Sequence, residues 1–135
     1  MSEVLLRMHV WLVVTALPLL VRLVDLPRLL KLATPRRPWR VYRGLSSETI
    51  GRAVARRLRR SRHMKRRACL RRGLALYHFL RLAGRPAVLR VGAWPPGRDP
   101  ERLHAHCWVT VNGCVVDDDA DLPPGVLLCY PGSDD

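Results

Sequence analysis

The chain has 135 residues, 48 % of them hydrophobic, and a formal net charge of +13. That length accommodates one domain burying roughly two thirds of its unfolded surface and excludes a large second one. The charge favours acidic partners (nucleic acid, anionic lipid, an acidic peptide or protein surface), and four cysteines without a CxxC pair exclude a zinc ribbon and a thioredoxin motif.

Residues 4–32 are rich in leucine and valine, with Arg7, Arg22, Arg28 and Lys31 interspersed. The most apolar run, Val10 to Val21, is interrupted by Pro18. Twelve helical residues rise about 18 Å against the ~30 Å of a hydrocarbon core. The expectation is a helix packed on the domain or on a partner, with an interfacial membrane helix as the second reading. The N-terminus lacks the basic n-region and small-residue cleavage site of a secretory signal, so the thiols read as reduced and the chain as cytoplasmic, or membrane-peripheral through 4–32.

Thr34 to Gly44, "TPRRPWRVYRG", is a connector punctuated by proline and arginine. It divides the chain into an N-terminal helical segment (1–45) and a core (46–135). Ser46 or Ser47 can then cap a helix with Glu48 in its first turn. Ile50, Val54 and Leu58 form its narrow apolar stripe. About half the residues from Arg52 to Arg72 are Lys or Arg.

A longer apolar helix follows, with Leu70, Leu74, Tyr77 and Leu80 on one side and Ala75, Leu76 and Phe79 widening the face. Gly84 and Pro86 end it. "AVLRVGA" (87–93) is β-like, two alternating runs meet at "VNG", and "VLLCY" (126–130) is a last β-like run. Helices followed by an antiparallel meander argue an α+β fold.

The chemistry concentrates at Cys69 and at "LHAHCWVTVNGCVVDDDAD" (103–121). Cys69 stands at a helix start, where unpaired N–H groups and the positive dipole end favour a thiolate, with Lys65, Arg66 and Arg67 just upstream. A thiolate nucleophile needs an imidazole, and the imidazole a carboxylate to fix its tautomer. His106 on one strand and Asp117 to Asp119 on the next supply both types of group.

The partner of His106 depends on the hairpin. With Asn112-Gly113 as a two-residue type I′ turn, His106 faces Asp119; with a three-residue Val111-Asn112-Gly113 loop and a bulge at Gly113, it faces Asp118. Both loops suit Asn-Gly.

"CLRRGLALYHFLRLAGRPAVLRVGA" followed by "HAHCWVTVNGCVVDDD" resembles the transglutaminase-like leader peptidases of lasso-peptide biosynthesis, the protease part of the split B protein. The likeness covers residues 66–119. It implies a papain/transglutaminase-like cysteine peptidase core, with Cys69 as nucleophile, His106 as base and acid, and Asp118 as orienting carboxylate. That last choice implies the three-residue loop. Cys107 stands where the family usually has Ala, Thr110 where Glu is common, and Asp117 where Asn is common. The implied task is removal of the leader from a lasso-peptide precursor through a thioester. The implied partners are the leader region of the precursor, a stand-alone leader-binding recognition protein and a macrolactam synthetase. The chain lacks room for the recognition domain itself. Segment 52–67 or the N-terminal helix is expected to dock those proteins or an acidic leader.

Other residues read more plainly. His104 shares a strand face with His106 and is a minor candidate for substrate contact or for the base. Trp108 shields the triad from water, His78 is a satisfied, partly buried residue, and His9 and His63 carry no argument. Cys107, Cys114 and Cys129 read as packing residues. A zinc site from His104, His106, Cys107 and an aspartate lacks a second spaced ligand pair, so neither metal nor cofactor is expected. The rival class is a basic docking protein without catalysis, bound to nucleic acid or membrane. Its nucleic-acid form is disfavoured because aromatics do not interleave with the basic stretch, so no specific nucleic acid is expected.

Overall fold

A computed structural model describes residues 2–59, 68–94, 105–116 and 122–132. Four helices precede a four-stranded antiparallel sheet: α1 (Ser2–Leu23), α2 (Leu26–Ala33), a 3-10 turn at Arg40–Tyr42, α3 (Ser47–Arg59), α4 (Ala68–Leu82), then β1 (Ala87–Ala93), β2 (Ala105–Val111), β3 (Cys114–Val115) and β4 (Gly125–Tyr130). The sheet order is β3-β2-β1-β4. The fold is α+β, as the order of elements requires.

α1 runs through Pro18 rather than stopping there. Proline removes one intrahelical bond, but the helix is anchored on both sides of it. Leu6, Val10, Val14 and Leu17 are buried, and Leu20 and Val21 pack against the same core. That core also contains Ile50 and Val54 of α3, the apolar face of α4 and Leu89 and Val109 of the sheet. The N-terminal helix is thus built into the interior that carries Cys69, and the 1–45 segment shares its core with 46–135.

α3 begins where Ser46 Oγ accepts the backbone N–H of Thr49 at 3.1 Å, a side-chain cap satisfying a donor the helix leaves open. Ile50 and Val54 are buried and Leu58 is half-buried, as their four-residue spacing predicts. The connector is more than a linker. Trp39 N–H donates to the Leu82 carbonyl at 2.7 Å, tying it to the end of α4, and Tyr42 is wholly buried.

α4 ends in a Schellman arrangement: Gly84 lies at φ +80°, its N–H reaches the Arg81 carbonyl at 3.0 Å, and Arg85 N–H reaches Leu80 at 2.9 Å. The reversal is tight enough for β1 to start at Ala87 and run back antiparallel to α4. β2 is antiparallel to β1, so β2 runs in the same direction as α4. The helix start and the β2 start therefore lie at one end of the domain.

Candidate active site

The helix seats on the sheet at a glycine. A Cβ built on Gly73 would lie 2.6 Å from Cys107 Sγ and 3.0 Å from Leu89 Cδ1, so hydrogen is all that fits where α4 crosses β1 and β2. Cys69 lies one turn before Gly73 on the same side of α4, half-buried and packed against the core. His106 lies one residue before Cys107, second in β2 and half-buried. From this shared crossing point, both candidate residues lie toward the same end.

Alternation gives them different faces. Cys107 and Val109 look toward α4 and are buried in the core. His106 shares the other face with Trp108, on which its ring stacks at 6.0 Å with 12° between planes, and with Trp94 at 6.4 Å. A Cys69 thiolate pairing with His106 therefore has to pass round the first residues of β2, not straight through the helix–sheet interface. β3 pairs with β2 only at Thr110 and Val111, so among the described residues β2 is bordered at His106 by β1 alone.

The sheet makes room for this arrangement at Gly92, the register partner of His106. A Cβ there would meet the Gly125 carbonyl oxygen at 2.5 Å, Trp108 Cη2 at 3.1 Å and Pro123 Cβ at 3.2 Å. The β1–β4 register shifts between Val91 and Gly92. The indole that supports His106 thus sits over a position that only glycine can occupy. Further along this face Arg90 Nε donates to Thr110 Oγ1 at 3.3 Å, and its guanidinium approaches Cys129 Sγ at 3.4 Å.

The hairpin is the two-residue form. Val111 pairs with Cys114 and Thr110 with Val115, while Asn112 and Gly113 both have positive φ (51° and 81°), as a type I′ turn demands. The three-residue loop implied by the choice of Asp118 does not form, because Asn112 takes up the left-handed conformation that loop would leave to Gly113 alone. The ladder continues through Val116 N–H to the Val109 carbonyl at 3.0 Å. The two-residue turn is the loop for which the sequence reading pairs His106 with Asp119 rather than Asp118. Residues 117–121 lie outside the described residues, as do His63, His104 and Lys65 to Arg67.

Two cysteine readings are corrected. Cys107 is a packing residue, but Cys114 is exposed beside the turn, and Cys129 is half-buried on the face away from α4 rather than in the core. All four cysteines are free thiols.

Sequence reasoning passed over His9. It stacks on Trp39 (5.1 Å) and Tyr42 (6.0 Å), meets Phe79 edge-on at 4.9 Å, and its Nδ1 shares a hydrogen bond with the Tyr42 hydroxyl at 3.1 Å. His78 stands edge-on to it at 6.0 Å and is bonded through Nδ1 to the Ala33 carbonyl at 2.8 Å, satisfied as expected. Burial pushes both below the ordinary histidine value, with the neighbouring His78 charge adding to the effect at His9. No local pattern signals His9, because its partners come from three other elements.

Comparison with known proteins adds a family. The model of the transglutaminase-like superfamily matches residues 7–125, from the first turns of α1 to the start of β4. No match was found among curated proteins or among solved structures. A helix bearing cysteine in its first turn, an antiparallel sheet bearing histidine at the same end and a match over nearly the whole fold lead to one statement: the chain belongs to the transglutaminase-like superfamily, which includes cysteine peptidases.

Proposed function

We propose that the chain is a cysteine peptidase that removes the leader from a lasso-peptide precursor, using Cys69, His106 and a carboxylate from Asp117–Asp119. The observation that carries the reading is the common end of α4 and β2, where Cys69 and His106 each stand second in their element. In the reaction the Cys69 thiolate adds to the scissile carbonyl and forms a C–S bond. The C–N bond then breaks as His106 gives its proton to the departing amine. Water, deprotonated by His106, hydrolyses the thioester and regenerates the thiolate. The N–H groups at the start of α4 are the natural donors to the oxyanion. The resemblance assigns the carboxylate to Asp118, and the two-residue turn favours Asp119, since His106 and Asp119 would form a non-hydrogen-bonded pair with close Cα atoms. The leader-binding protein and the macrolactam synthetase are the partners this role requires.

The test is cleavage of a precursor in the presence of its leader-binding partner, read by mass. Wild-type protein is expected to release the leader, and Cys69→Ala to release none. Cys69→Ser should retain at most a trace, because the hydroxyl ionises far less readily than the thiol. Cleavage by Cys69→Ala at the wild-type rate would refute the assignment.

A further inference from the structure

α1 carries a second apolar stripe, opposite the one that enters the core. Val4, Met8, Trp11, Leu12, Leu19 and Leu23 all face outward, Met8 62 % and Leu19 61 % exposed. All six are more than half exposed. Because Leu6, Val10, Val14 and Leu17 on the other side are core residues, the helix cannot cross a bilayer without dismantling the domain. Its length and composition alone would allow a crossing. Such a helix can lie in an interface instead.

The surroundings of the stripe are cationic. Between α1 and α3 runs a cleft of about 390 Å³ bordered by Arg7, Arg52, Arg56 and Arg57, with Glu3 the one carboxylate on its wall. Arg57 lies 5.7 Å over the Trp11 ring and donates to Thr15 Oγ1 at 3.2 Å, which holds its guanidinium beside the apolar stripe. Arg52 is partly offset by Glu48 at 3.7 Å. The bias extends along the chain: 23 of the 24 basic residues precede Asp99, and eight of the eleven acidic ones lie at or beyond it.

We infer that the outward face of α1 docks on an anionic lipid surface, lying flat in the headgroup boundary, with the α1–α3 arginines binding lipid phosphates and Trp11 seated at their level. The charge selects this occupant. A second copy would set one arginine-flanked face against another, whereas an anionic bilayer answers both the apolar stripe and its cationic flank. The inference is independent of whether Cys69 cuts a peptide, so either can fail alone.

The experiment is co-sedimentation of the full-length protein with phosphatidylcholine vesicles with and without phosphatidylglycerol. Binding is expected to be at least about tenfold stronger with the anionic lipid and to weaken with salt. Met8→Glu with Leu19→Glu, both at exposed positions, should abolish it while leaving the melting temperature and the circular dichroism unchanged. Brominated lipid should quench tryptophan emission in the wild type, and Trp11→Phe should remove most of that quenching. Equal partition to both vesicles, or binding indifferent to the double glutamate variant, would overturn the proposal. So would a wild-type dimer that the same variant converts to monomer without any vesicle binding, because a second copy would then own the face.

Discussion

Two regions of the molecule hold a histidine stacked on a tryptophan, and they are built for different ends. His9 lies on Trp39 within a cluster closed by Tyr42, His78 and Phe79. His106 lies on Trp108, with Trp94 tilted against it, at the start of a strand whose neighbour is glycine. In the first region burial lowers the pKa of both imidazoles, and a hydroxyl or carbonyl occupies the described polar contact. Such a shift disfavours the charged ring, which suits packing. The second ring is half-buried, one residue from the strand position that touches the cysteine helix. Stacking on an indole therefore says little about role; what shares the ring's end of the fold says more.

The comparison breaks most sharply in activity. His106→Ala is expected to lower leader removal by about a thousandfold or more, the usual scale for losing a general acid–base together with its ion pair. His78→Phe should leave turnover within a fewfold of wild type once the protein is folded. Equal loss in both variants, measured by single-turnover cleavage on samples of matched circular dichroism, would erase the distinction between the two regions.

The orienting carboxylate sharpens the same site. Asp119→Asn is expected to cost about a hundredfold or more in turnover, and Asp118→Asn much less, because the type I′ turn sets the ladder one step from the three-residue alternative. The reverse ranking would mean that the chain leaves the ladder after Val116 and that the family position holds.

How much of this could be read beforehand follows from where the information resides. β1 and α4 were legible because their signals are local: a β-like run bounded by Pro86, and an apolar face closed by Gly84. The cap at Ser46 and the stripe of α3 were legible for the same reason. The hairpin was half legible, since Asn-Gly satisfies either loop, and only the φ of Asn112 decides between them. That α1 packs on the domain was an expectation, but which of its residues enter the core, and the His9 cluster, were not legible. Both depend on contacts between segments distant in sequence, and His9 meets Tyr42 across 33 positions. Cys69 and His106 stand out as residue types, yet their opposite relation to the sheet emerges only once Cys107 is seen against Gly73.

Two glycines separate support of the site from support of the fold. Gly92→Ala would drive a methyl into the Gly125 carbonyl and the Trp108 ring, and neither backbone nor a packed indole yields cheaply. The expected cost is about 2–3 kcal/mol of stability, with a fall in turnover beyond what unfolding explains, because the surface beneath His106 moves. Gly73→Ala meets the Cys107 sulfur and a leucine methyl instead. Alanine's better helix propensity offsets part of that overlap, so about 1–2 kcal/mol is expected, and Cys107→Ala in the same chain should recover most of it. Chemical denaturation of the three variants measures the stability costs, and turnover of the folded Gly92→Ala protein measures the rest.

The smallest expected effect tests the structural pair. His9 and His78 both titrate below a free histidine, chiefly because burial penalises the charged ring; for His78 the Ala33 hydrogen bond opposes that shift in part. Below the unfolded value near 6.5 the unfolded chain takes up protons that the folded one refuses. Unfolding is then favoured progressively as pH falls, until the folded rings themselves protonate. Above that value both states carry neutral rings and the pair contributes no slope. Stability is therefore expected to be flat in this contribution from pH 7 upward and to decline on acidification below about 6.5. His78→Phe should lessen the decline, even if it alters stability at neutral pH, because it removes one of the two rings whose burial penalises the charge. Denaturation midpoints across this range for wild type and variant check it. An unchanged slope would mean that the aromatic cluster tolerates a charge its burial argues against.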